Sequence, residues 1–213
     1  MNERRKKTSV PHSKRPEVYG SLHVVWRIRR GLPGLRTPRC YRVLERCFRA
    51  GKEKEGFGVT YFSVQRDHLH LIVEAKDRRW LARGLQGLAV RIAKSLNRHW
   101  NRRRGSVFSE RYFARLLERP RQVFNAIRYV LNNGRKHGER ISAGQADPFS
   151  SARWFQGWID QIARPLRSAP VASVGRCRFP WIHQRVLRVD EVPSRAAFDA
   201  CGTIDELLAS NLA

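Results

Sequence analysis

The chain has 213 residues, with 43 Lys and Arg against 18 Asp and Glu, a formal net charge of +25 and a sequence pI near 11.4. That length suffices for one domain with a real core plus an appendage. A hydrophobic fraction of 41% with six Trp excludes global disorder, and no apolar run approaches the ~20 residues needed to cross a bilayer. The charge excess goes beyond what solubility requires and points to a polyanionic partner, nucleic acid before any other. The N-terminal Met1-Asn2-Glu3-Arg4-Arg5-Lys6-Lys7 leads into Thr8-Ser9-Val10-Pro11-His12 rather than an apolar stretch, so it does not read as a secretory signal. A cytoplasmic protein associated with the nucleoid through DNA is expected. Cys40, Cys47, Cys177 and Cys201 form no Cys-x-x-Cys pair and no zinc-finger spacing, and read as reduced thiols.

In chain order, residues 1–18 are polar, basic and Pro-interrupted, a flexible arm. Leu22 to Ile28 is β-branched and aromatic, a first strand, broken at Gly31-Leu32-Pro33-Gly34. Tyr41, Leu44, Cys47 and Phe48 recur at helical spacing within 38–54. The apolar runs Val59–Val64 and His68–Ala75, separated by Gln65-Arg66-Asp67, read as a hairpin. Leu81, Leu85, Leu88, Ile92 and Leu96 mark one face of a helix over 78–101. Val107 to Leu117 reads as a further strand, and Pro120 opens a helix to about His137. The order β-α-β-β-α-β predicts an α+β, ferredoxin-like sandwich with helices on one face of an antiparallel sheet. A tyrosine-bearing helix follows. The domain is expected over 19–138, with a C-terminal extension over 139–213 whose Phe149, Trp154, Phe155 and Trp158 can pack back on it.

The run Asp67-His68-Leu69-His70-Leu71-Ile72-Val73-Glu74 is the most informative. Strand alternation puts His68, His70, Ile72 and Glu74 on one face and Leu69, Leu71, Val73 and Ala75 on the other. Two imidazoles at i and i+2 can converge on one divalent cation. A histidine-triad phosphoesterase needs a third His where Ile72 stands, so that class is excluded. On the helix from Pro120, the apolar face is Val123, Phe124, Ile127, Val130 and Leu131. Tyr129 lies nearly opposite, with Asn125 and Asn133 one turn to either side. A Tyr on this polar face is a candidate covalent nucleophile, and Asn133 can add an oxygen ligand to a histidine-bound metal.

These features together resemble one family. The His-Leu-His run in its strand looks like the HUH motif of single-tyrosine transposases. Ala126-Ile127-Arg128-Tyr129-Val130-Leu131-Asn132-Asn133 resembles their tyrosine helix, above all that of the REP-associated tyrosine transposases and the IS200-like transposase domain. The basic segment from Arg103 to Tyr112 is similar as well. The resemblance spans roughly residues 17–138, in motif order. Many relatives carry Pro after the paired asparagines, where this chain has Gly134-Arg135-Lys136-His137. The position of the helix end, and with it the ligand role of Asn133, is therefore open.

The resemblance implies a transposase that nicks and joins single-stranded, hairpin-forming DNA through a 5′-phosphotyrosine intermediate. Tyr129 is then the nucleophile, and His68, His70 and Asn133 hold Mg²⁺ or Mn²⁺. Nucleic-acid affinity is expected from the N-terminal arm, from Arg27, Arg29 and Arg30, and from Arg102, Arg103 and Arg104. Trp26 and Trp100 are available for base stacking, while Trp80 is assigned to the core. The REP-associated branch implies a monomer rather than a homodimer. The rival readings are a domesticated, non-catalytic binder of hairpin DNA or RNA, and a nucleic-acid-packaging protein.

Overall fold

The computed structural model describes residues 20–51, 56–158, 169, 170 and 187. The N-terminal arm, most of the C-terminal extension, Cys177 and Cys201 lie outside the described residues. The elements are β1 (Gly20–Arg27), α1 (Pro38–Arg49), β2 (Phe57–Val64), β3 (His68–Ala75), α2 (Arg78–His99), β4 (Phe113–Leu116) and α3 (Pro120–Lys136), then a 3-10 turn at Ser151–Trp154. The strands form one antiparallel sheet in the order β2-β3-β1-β4. This is the α+β, ferredoxin-like arrangement expected from the sequence. No helix among the described residues is long and apolar enough to cross a membrane.

Local chemistry sets the helix starts. Thr37 accepts from the Cys40 amide at 3.2 Å ahead of Pro38, and Asp77 accepts from the amides of Arg79 and Trp80 at 2.7 and 2.9 Å. At α3, Pro120 occupies the first turn and the Gln122 side chain accepts from the Arg119 amide at 2.9 Å. Helix α1 is shorter than its expected 38–54, ending at Arg49 before Ala50-Gly51. The strand expected over 107–117 contracts to Phe113–Leu116, with Phe108 making an isolated bridge to Ile28.

Period-2 alternation splits the sheet into two cores. Leu22, Val24 and Trp26 of β1 and Leu69, Leu71 and Val73 of β3 pack with the apolar stripes of α1 and α2. Val25, Tyr61 and Ile72 face the other side, where α3 contributes Val123, Ala126, Ile127, Tyr129, Val130 and Leu131. A register shift between Val59 and Tyr61 switches the parity of β2, so Val59 and Phe62 both reach the first core.

The segment after α3 closes over this second layer. Arg36, with a side chain 5% exposed, pairs through Nη2 with Asp147 Oδ1 at 2.9 Å and donates through Nη1 to the Val64 carbonyl at 2.8 Å. Ser63 bridges to Ser150, and the Phe62 amide donates to Ser151 Oγ at 2.9 Å. Ala146, Ala152 and Phe155 then pack with α3 in the second core. The expected packing of this stretch onto the domain is what the structure shows.

Candidate active site and metal centre

Register brings the histidines together. Arg27 pairs with His68, Val25 with His70 and His23 with Ile72, so His23 of β1 shares a sheet face with His68 and His70 of β3. The two motif imidazoles present Nε2 to each other at 3.0 Å. Their other nitrogens have separate partners: His68 Nδ1 lies 2.7 Å from Asp67 Oδ1, and His70 Nδ1 lies 3.1 Å from His23 Nε2. His68 and His70 are both buried.

Helix α3 covers this row. The Tyr129 ring stands edge-on to His70, with centroids 5.2 Å apart, and 5.9 Å from His23. Lys136 places Nζ 4.6 Å from the centroid of the Tyr129 ring. Two turns beyond Tyr129, His137 caps the helix with its ring 5.2 Å from that of His68. Asn133 sits between them along the helix, fully buried, and neither its Oδ1 nor its Nδ2 has a hydrogen-bond partner among the described residues.

Burial leaves Tyr129 with no exposed surface, which corrects the expectation of a tyrosine on a polar helix face. The helical wheel sets Tyr129 apart from the apolar stripe, but its ring faces His70 and His23 of the sheet and joins Val123, Ile127, Val130 and Leu131 in the second core. Trp26 is also corrected. It is 3% exposed and stacks on Phe108, so it belongs to the core and offers no stacking face to a base. Trp80 and Trp100 are partly buried against the same core.

Electrostatics follow from this packing. Burial, reinforced by His68, His23, His137 and Lys136, holds His70 well below its ordinary pKa of 6.5, so it is neutral. The hydrogen bond from His68 pulls the Asp67 carboxyl below its usual range despite partial burial.

These residues fit a divalent cation. For metal–nitrogen bonds of about 2.1 Å at a right angle, the two nitrogens lie about 3 Å apart, as the two Nε2 atoms do. Asp67 and His23 each occupy the Nδ1 of one ligand imidazole, the usual arrangement for orienting a metal-bound histidine. The Asn133 amide, unpartnered among the described residues, is chemically able to add an oxygen donor. One ring nitrogen from each of His68, His70 and His137 lies within 4.8 Å of the others, a cluster that could hold a metal ion.

The arginines expected to contact nucleic acid lie toward one end of the sheet. The Arg29 amide donates to the Val107 carbonyl at 2.9 Å and the Ser109 amide to the Arg27 carbonyl at 3.0 Å, drawing the end of β1 to the loop that follows Arg102–Arg104. Since Arg27 pairs with His68, this basic rim borders the histidine row. Arg29, Arg30, Arg103 and Arg104 are exposed, whereas Arg102 is partly buried and donates to Asn97 Oδ1 at 3.0 Å.

His23, Asp67 and His137 went unassigned in the sequence. Asp67 was adjacent to the motif and His23 lay on the polar parity of β1, but only the β1–β3 register and the path of α3 bring them to the site.

Comparison with known proteins agrees with this architecture. The family model described as "Transposase IS200 like" matches residues 18–133, over half of the chain. A solved REP-associated tyrosine transposase bound to a REP hairpin is similar in fold, with a TM-score of 0.54 at 16% identity, over 68% of this chain and 85% of that one. A Deinococcus radiodurans protein provisionally described as a transposase is more distant, with a TM-score of 0.38 and 14% identity over 57% of this chain and 91% of that one. No curated protein matches significantly. With the His-Leu-His strand and the tyrosine helix inside the matched span, the chain belongs to the IS200-like, single-tyrosine HUH transposase family.

Proposed function

We propose that this protein nicks and rejoins single-stranded, hairpin-forming DNA through a 5′-phosphotyrosine link at Tyr129. The observation that carries the reading is the placement of the Tyr129 ring 5.2 Å from His70, whose Nε2 faces that of His68 beside a basic rim. His68, His70 and Asn133 would hold Mg²⁺ or Mn²⁺, which when bound polarises the scissile phosphate and offsets the charge that develops on it.

The Tyr129 hydroxyl loses its proton as its oxygen bonds to phosphorus, and the bond from phosphorus to the 3′ oxygen breaks. That oxygen takes up a proton to leave as a free 3′-hydroxyl, so one proton is released and one consumed. Attack by a 3′-hydroxyl reverses the sequence without ATP, because the phosphotyrosine retains the bond energy. Lys136 adds positive charge beside the ring, where the phosphate must arrive. Arg27, Arg29, Arg30, Arg103 and Arg104 supply phosphate contacts that hold the strand, with Arg102 shaping the loop that carries the last two. Because Tyr129 is fully buried, α3 or its cover must shift before the hydroxyl meets a phosphodiester. The hairpin carried by the solved relative supports a folded-back strand as substrate. A monomer acting at the nucleoid in the cytoplasm fits this reading.

The burial of Tyr129 favours a second reading, a domesticated binder that recognises hairpins without cutting them. Incubation with a labelled hairpin oligonucleotide and Mn²⁺ separates the two. A covalent protein–DNA band that survives denaturation supports the enzyme. Tight binding with no such band supports the binder.

A further inference from the structure

We propose that His137 is a ligand of the site cation, completing a three-imidazole set with His68 and His70 that selects a first-row transition metal over Mg²⁺. The proposal rests on the metal reading of the site given above.

The placement of His137 follows from a departure in sequence. A proline after Asn132-Asn133 would remove a helix amide and disfavour the helical conformation of the residue before it. Here Gly134 lets α3 run on to Lys136, and the His137 amide donates to the Asn133 carbonyl at 3.1 Å. Glycine is also favoured sterically, since a Cβ at 134 would crowd the side-chain ends of Asp147 and Arg36. The extra turn carries an imidazole to the open edge of the site. His68 and His70 are buried while His137 is exposed, and the three ligand nitrogens fall within 4.8 Å of one another.

A donor set fixes metal preference. Mg²⁺ favours oxygen ligands and retained water, whereas imidazole suits the later first-row cations. Two histidines and an amide oxygen make a mixed site; a third imidazole tips it toward nitrogen. The same helix bears Tyr129 and His137, so a cation held by His137 also ties the end of that helix to β3.

Co²⁺ is a suitable probe, because its visible absorption changes with the number of nitrogen ligands. The full chain is titrated with Co²⁺ and with Mg²⁺, followed by calorimetry and absorption, alongside His137→Ala and His68→Ala. Far-UV circular dichroism checks each fold. The wild type is expected to prefer Co²⁺, and His137→Ala to weaken Co²⁺ binding by about tenfold or more, with an altered spectrum and little change for Mg²⁺. Co²⁺ affinity in His137→Ala within twofold of wild type, or equal affinity of the wild type for the two ions, overturns the proposal. Loss of Co²⁺ in His68→Ala alone would leave the two-histidine site standing without His137. Normal Co²⁺ binding with no covalent adduct on hairpin DNA would instead remove the nicking activity and leave this ligand set intact.

Discussion

His23 Nε2 meets His70 Nδ1 at 3.1 Å across the β1–β3 pair, the two rings stacked with centroids 5.2 Å apart. If His70 binds a cation through Nε2, its Nδ1 carries the proton and His23 accepts it. His23 is then a positioning residue, fixing the tautomer and plane of its neighbour as Asp67 does for His68. Substituting His23→Phe keeps an aromatic ring but removes the acceptor. Cation affinity should fall by about tenfold, read by calorimetry, with His23→Gln restoring part of it. Affinity equal to wild type in the Phe variant would confine His23 to packing.

The neutral state of buried His70 makes the metal-free protein sensitive to acid. His23, His68, His137 and Lys136 face it as positive or potentially positive groups, with the Tyr129 ring alongside. An unfolded chain protonates this residue near 6.5, whereas the folded chain does so only well below. Unfolding therefore takes up a proton in that interval. The contribution is complete above about 6.5 and is lost as pH falls toward the lowered folded value. Asp67, lowered from 3.8, adds a second and more acidic loss, present above 3.8 and removed as pH drops through its folded value. Melting temperatures between pH 8 and 5, taken with a chelator present, should fall more steeply for wild type than for His70→Gln. Parallel curves would contradict the assignment.

The basic rim divides into exposed arginines and half-buried ones. Arg103 and Arg104 are exposed, while Arg102 bonds Asn97 at the end of α2. Changing Arg103 and Arg104 to Ala should flatten the salt dependence of single-strand binding by up to about 0.7 per lost contact. Arg102→Ala should act chiefly on the loop and lower thermal stability. Fluorescence anisotropy across a salt series measures the first effect, and an unchanged slope would show that neither arginine touches phosphate.

Gly134 tests how tightly the buried pair presses on α3. In Gly134→Ala the added methyl meets Asp147, Arg36 and Ile141, all within 3 Å of the ideal Cβ. Overpacking of this kind costs about 1–3 kcal/mol, more than the gain in helix propensity returns. Urea denaturation should show a lower midpoint, and a midpoint at or above wild type would mean that the Arg36–Asp147 pair yields freely.

What was legible in the sequence was periodic and local. Alternation along β3 placed Leu69, Leu71 and Val73 in one core and His68 and His70 opposite, and the stripe Leu81 to Leu96 defined α2. His23 and His137 are different in kind. One enters through strand pairing 47 residues from its partner, the other through the direction in which α3 crosses the sheet. Neither carries a local signal. Tyr129 exposes the limit of the helical wheel, which ranks the faces of a helix without saying how many of them are covered. The cover over Tyr129 includes His70 and His23, which stand on two strands of the sheet far from α3 in sequence.

Tyr129→Phe is the decisive substitution for the chemistry. It preserves the ring that packs against His70 and His23 and deletes the only atom of that side chain able to bond phosphorus. Because the hydroxyl lies inside the protein rather than on a solvated face, its loss should change stability by about 1 kcal/mol, a shift small enough to leave the fold and hairpin binding intact. The covalent adduct should disappear. The remaining tyrosines among the described residues are placed otherwise: Tyr41 and Tyr61 belong to the two cores, and Tyr112 packs edge-on against Trp26 away from the histidine row. Tyr41 is further disfavoured, since burial first and then the nearby Glu45 raise its phenol above the usual range. Peptide mass spectrometry of a trapped adduct identifies the attachment point directly. A phosphonucleotide on Tyr129 in the wild type and none in the Phe variant is the expected result; an adduct on any other tyrosine, or one that persists in Tyr129→Phe, would show that this residue is not the nucleophile.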